Sequence, residues 1–102
     1  MEIKESLVFY IDFDSIRSEG NFRKVWAIND FKKLDGDGEM STRFRLELDC
    51  KEEKFRTITI SSHSQNMAKG MPLRSVTPEF PKWGDIAPDT PIAATLKLAC
   101  AS

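Results

Sequence analysis

A chain of 102 residues has the length of one small domain, residues 1–102, that buries roughly 65% of its unfolded surface. Its 15 basic and 16 acidic residues leave a formal net charge of -1, which excludes the positive field that gathers nucleic acid or an anionic membrane surface. No apolar run approaches the about 18 residues that span a bilayer, so no transmembrane segment is expected. The opening MEIKESLV carries no leader and no cleavage site, as in a cytosolic chain or in a mature domain whose export signal has given way to a starting methionine.

Residues 7–12 (LVFYID) read as a first strand, and 13–20 (FDSIRSEG) as a turn that Gly20 and Asn21 close. Residues 22–31 (FRKVWAINDF) form a second strand, in which either Val25 with Ala27 or Trp26 with Ile28 faces away from the core. A loop follows, KKLDGDGEMS. Its DGDGE run (35–39) resembles a calcium loop, but the twelve-residue pattern then requires glycine at Met40 and an acid at Leu46, so a hairpin loop without metal is expected.

The stretch 43–51 (RFRLELDCK) alternates charged residues with Phe44, Leu46, Leu48 and Cys50, which puts a cysteine on the core side of a third strand. KEEK (51–54) turns the chain into a fourth, FRTITISS (55–62), with Cys50 opposite Phe55. MPLRSVTPEF (71–80) is a weaker fifth strand, confined to an edge by Pro72 and Pro78.

The C-terminal segment changes period. Thr90 can cap a helix whose first position is Pro91, and Ile92, Leu96, Ala99 and Cys100 fall on one apolar side with Lys97 on the other. A sheet and a helix with one apolar face each are satisfied by packing on each other, which gives an α+β fold of about five or six antiparallel strands and one C-terminal helix. Cys50 and Cys100 then share a layer. A disulfide between them tethers the helix, stabilises by about 4 kcal/mol in the loop-entropy account and implies an extracytoplasmic compartment. The alternative is a pair of buried free thiols acting as small hydrophobes.

Candidates for chemistry are few. Two cysteines and His63 are too few and wrongly spaced for a structural zinc, so no metal and no cofactor are expected. In SSHS (61–64), Ser62 and Ser64 alternate to the side opposite His63, and a Cys50–His63 dyad fails on reach, about 26 Å at strand rise. His63 reads as a solvated strand-end residue. No catalytic residue is assigned.

The order LVFYIDFDSI, RKVWAINDF, STRFRLELDCKEEKFRTITI and PKWGDIAPDTPIAATLKLAC resembles the surface-adhesin protein E-like family of Gram-negative bacteria, over almost the whole chain. The elements that carry the resemblance are Asp12 with Ser15 and Ile16, Trp26, Ser41, Asp49–Cys50, Phe55–Arg56, Trp83, Ile86, Pro88 and the helix closing on Cys100. The resemblance implies an exported envelope protein whose C-terminal helix is disulfide-bonded to an antiparallel sheet. It also implies a binding module for host extracellular-matrix or serum proteins, at the outer-membrane surface. A soluble periplasmic structural or accessory protein without a host ligand is the competing reading, and an enzyme is not expected.

One feature is left over by the fold. With Cys50 opposite Phe55, parity sends Arg56, Ile58 and Ile60 to the face that carries Arg43 and Arg45. Either a slipped register or a bulge turns the isoleucines inward, or that face is an exposed patch for a homodimer or a protein ligand. Trp83, between Pro81 and Pro88, reads as a clamp over the edge of the core.

Overall fold

Alternation at period two runs through the long strands and sorts their side chains onto the two faces of one antiparallel sheet. The structure, a computed structural model, describes residues 2–4, 7–31 and 38–101, the side chains of residues 2–4 and 7 excepted. The strands are β1 (Glu2–Lys4), β2 (Leu7–Glu19), β3 (Phe22–Phe31), β4 (Ser41–Asp49), β5 (Lys54–His63), β6 (Pro72–Val76) and β7 (Gly84–Asp85), followed by helix α1 (Pro91–Cys100). From β1 to β6 each strand pairs with its neighbour in sequence, and β7 pairs with the start of β5. The α+β fold expected from the sequence is observed, with β1 and β7 as additions. Most of the DGDGE loop, residues 32–37, lies outside the described residues.

The helix follows from its residues. Thr90 Oγ1 accepts from the Ala93 amide at 3.2 Å, Pro91 occupies the first turn, and Leu96 and Ala99 are buried, with Ile92 and Cys100 packed beside them. Thr95 is buried as well, its hydroxyl donating to the Pro91 carbonyl at 2.8 Å. The stripe meets Phe9, Val25, Ala27, Phe44, Leu46 and Leu48 of the sheet. Val25 and Ala27 are 0% and 1% exposed, so Trp26 and Ile28 are the pair that faces away. Each fully buried aliphatic side chain stabilises by about 1.5–3 kcal/mol.

Cys50 lies one residue past β4, at the parity of Leu46 and Leu48, and is bonded to Cys100 across a sequence separation of 50 residues. A second tie acts beside it. Arg23 Nε donates to the Ala99 carbonyl at 3.2 Å, placing a cation on the helix C-terminus.

Two local features differ from the sequence expectation, each fixed by a short polar side chain. Residues 13–19 are not a turn: β2 continues to Glu19 through a bulge between Asp12 and Arg17. Ser15 Oγ donates to the Asp12 carbonyl at 2.6 Å and accepts from the Trp26 amide at 2.9 Å, satisfying groups that the bulge removes from the ladder. Ser15→Ala is expected to cost about 1–2 kcal/mol in urea unfolding, because both backbone groups lose their partners.

The second difference is the β4–β5 hairpin. Leu48, not Cys50, stands opposite Phe55, and Asp49 opposite Lys54. Asp49 Oδ1 accepts from the amides of Lys51 and Glu52 at 3.0 and 3.1 Å, and Glu53 takes φ 56°, so an aspartate does the work for which the sequence suggested no turn residue. Further along, Arg45 pairs with Thr59 and Leu46 with Thr57, which leaves Ile58 as the extra residue of a bulge. Parity flips there. Ile60 stands opposite Phe44 and packs against the core, correcting the expectation that it shares a face with Arg43 and Arg45. His63 stands opposite Ser41, and at 7% exposure it is buried, not solvated.

Candidate functional site

On the face turned away from α1, the strand register builds two cross-strand rows. Tyr10, Ile28 and Arg43 form one, and Asp12, Trp26 and Arg45 the other. The Arg43 guanidinium lies 4.0 Å from the centre of the Trp26 ring and that of Arg45 5.6 Å, so one indole carries two cations. Each such contact contributes about 0.5–1 kcal/mol at an exposed site.

A cleft of about 300 Å³ opens between Tyr10, Asp12, Trp26, Ile28, Arg43 and Met67. Met67 comes from outside the sheet, from the single 3-10 turn Asn66–Ala68 that follows β5. Asp30 Oδ1 accepts from the Met67 amide at 2.7 Å and from Asn66 Nδ2 at 3.0 Å, while Ser41 Oγ accepts from the Ala68 amide at 2.8 Å. Met67 and Ala68 take φ of 57° and 58°, a left-handed conformation that costs an L-residue about 1–2 kcal/mol. The strands thus hold Met67 in place at the cleft by polar bonds that outweigh backbone strain.

Charge on this face is unevenly committed. Glu47, 8% exposed, is ion-paired to Arg56 at 2.6 Å, and Arg56 in turn lies 4.4 Å from the centre of the Trp83 ring, which contacts Phe22 at 5.8 Å. Trp83 therefore clamps the face opposite the helix. Asp30 and Asp49 hold turns, and Asp12 Oδ1 accepts from the Asp14 amide at 3.1 Å. Among the described residues, Arg43 and Arg45 have no carboxylate partner, and Arg45 Nε is buried without an acceptor.

The predicted face is therefore divided. Arg43 and Arg45 come together around Trp26, Arg56 is engaged by Glu47 and Trp83, Ile58 sits at the bulge and Ile60 lies on the other face. Tyr10 and Met67 were not singled out from the sequence. Parity with Arg43 could have found Tyr10, but nothing local marks Met67, whose position depends on Asp30. The structure also brings out Ser61, which shares the parity of His63 and contacts its Nε2 at 2.8 Å, whereas the sequence reading weighed only Ser62 and Ser64. His63 Nδ1 is buried without a hydrogen-bond partner, so the pair lacks the group that orients a catalytic imidazole. No cluster of three or more His, Cys, Asp or Glu side chains suited to a metal occurs among the described residues. No helix among them is long and apolar enough to cross a membrane.

The sequence profile for surface-adhesin protein E matches residues 1–101. The chain belongs to the surface-adhesin protein E family. Among solved structures it is similar to crystal form II of Haemophilus influenzae protein E, at 16% identity and a TM-score of 0.70 over 98% of this chain and 91% of that one. The selenomethionine form of Haemophilus influenzae protein E gives 15% identity and a TM-score of 0.72 over 99% and 90%. Protein E from non-typeable Haemophilus influenzae gives 14% and 0.63 over 98% and 78%. At these identities the likeness is one of fold. No curated protein matches the chain. Membership of a surface-adhesin family points to a location outside the cytoplasm, where the disulfide can persist.

Proposed function

We propose that this protein is a binding module of the bacterial envelope that engages host extracellular-matrix or serum proteins through the sheet face opposite α1. The observation that carries this reading is the Trp26–Arg43–Arg45 cluster, two arginines over one indole with no carboxylate partner among the described residues. Arginine and aromatic side chains are the residues that dominate protein interfaces, and exposed Tyr10 and Met67 extend the same patch. Family membership supports it, because an adhesin acts by holding another protein at the cell surface.

The test is a binding screen of the folded, oxidised chain against immobilised matrix and serum proteins, beside the Trp26→Ala and Arg43→Ala variants. Saturable binding to one of them, weakened at least about tenfold by either substitution, is the expected result. Binding that survives both substitutions would remove the face from the mechanism. A doubling of mass with concentration that both variants abolish would assign the face to a homodimer, and a folded chain that binds nothing would favour the soluble periplasmic reading.

A further inference from the structure

The cleft at Tyr10, Ile28, Arg43 and Met67 has a chemistry of its own, narrower than that of the face around it. Its walls are apolar or aromatic, since Ile28, Met67 and the rings of Tyr10 and Trp26 supply most of them. Its volume of about 300 Å³ suits a short side-chain-bearing segment rather than a flat surface. Arg43 at its rim has no carboxylate partner among the described residues. Three acids on this face are bound elsewhere, Glu47 to Arg56, Asp30 to the Asn66–Ala68 turn and Asp49 to the Lys51 and Glu52 amides, while Glu19 lines a separate depression with Arg45.

Asp12 is the exception that sets direction. It lines the same cleft in the Trp26 row and is exposed, so an anion is repelled there and drawn to the Tyr10–Ile28–Arg43 row. The cleft's rim on the Arg43 side and its apolar interior thus make different demands on one ligand. A polyanion satisfies only the first, and an apolar chain only the second.

We propose that this cleft takes an acidic–apolar peptide segment of the protein partner, a bulky apolar side chain entering between Tyr10, Ile28 and Met67 while an adjacent carboxylate meets Arg43. The inference rests on the binding reading above and narrows its partner to one that presents such a segment. The strained turn that carries Met67 closes the apolar side of the site, and the Arg43 guanidinium that would meet the carboxylate lies over the Trp26 ring at 4.0 Å.

Trp26 is its own reporter. In a Trp83→Phe variant it is the sole tryptophan, so its emission can be followed on titration with an acetylated, amidated hexapeptide that alternates aspartate and leucine. A saturable change is expected that weakens with added salt, is lost with a lysine–leucine counterpart, and drops about tenfold in affinity in Arg43→Gln. Met67→Ser should reduce it several-fold without altering the circular dichroism spectrum. No saturable change with the acidic peptide, equal binding of the lysine peptide, or equal binding of an aspartate–serine peptide would each overturn the proposal. These outcomes separate it from the broader reading. A host protein bound through Trp26 while the acidic peptide is ignored refutes the cleft chemistry alone, whereas peptide binding without any host protein bound refutes the host-ligand reading alone.

Discussion

Replacing Cys100 with alanine is expected to lower the unfolding free energy by about 4 kcal/mol while leaving the antiparallel sheet in place. The bond closes a loop of 50 residues, and cross-linking positions so far apart removes a large share of the unfolded chain's freedom. A domain of this size has about 5–15 kcal/mol in total, so the variant should stay folded with a sharply lower urea midpoint. The sheet should survive because its core, from Phe9 through Leu48, is held by strand pairing that does not pass through the sulfur atoms. The helix is the part at risk. Once the bond is gone, its C-terminus relies on contacts such as that of Arg23 with the Ala99 carbonyl and on the burial of Leu96 and Ala99. Urea titrations of wild type with and without reductant should bracket the variant, the reduced protein coinciding with it. A loss under about 1 kcal/mol would mean the tether contributes little, and loss of the strand signal in circular dichroism would mean that the sheet cannot stand without it.

The elements that the sequence made legible are those with a period or a local punctuation mark. Thr90–Pro91 announces a helix start, Ile92, Leu96 and Ala99 recur at helical spacing, and β3 ends where its aromatic and branched run ends, at Phe22 and Phe31. The disulfide was legible because two cysteines fell on the apolar faces of elements that had to meet. The misread features are held by single side-chain bonds to the backbone, which leave no periodic trace. Ser15 bridging Asp12 and Trp26 turns a presumed loop into a continued strand, and Asp49 bonding the Lys51 and Glu52 amides sets the turn one residue earlier than KEEK alone would put it, so that Phe55 meets Leu48 and not Cys50.

The candidate site shows the same division. Arg43 and Arg45 were placed by alternation, and Trp26 by alternation up to a choice of two faces that burial of Val25 and Ala27 decides. Met67 depends on Asp30, 37 positions earlier, and the buried His63 lies at the end of β5, beside Pro72 of β6 and just before the Asn66–Ala68 turn. Contacts at that sequence distance are properties of the assembled sheet. A single sequence encodes them without displaying them.

The bulge at Ile58 makes two neighbouring isoleucines unequal, and single lysine substitutions should expose the difference. Ile60 lies opposite Phe44 and Val76 and packs against the core, so Ile60→Lys puts a charge against apolar surface and should cost about 2–4 kcal/mol. Ile58 is the unpaired residue of the bulge, where a lysine can direct its ammonium to water at about 1 kcal/mol or less. Both positions are half-buried, so exposure alone does not separate them; what separates them is the parity that the bulge reverses. Urea titrations of the two variants at unchanged m-value would read the asymmetry directly. Equal losses would place both side chains on one face and remove the bulge at Ile58. The same pair tests the division between the two faces: because Ile60 lies on the helix side, Ile60→Lys in a folded background should leave titration of Trp26 by ligand unchanged, whereas a change there would mean that the core and the cleft are not independent.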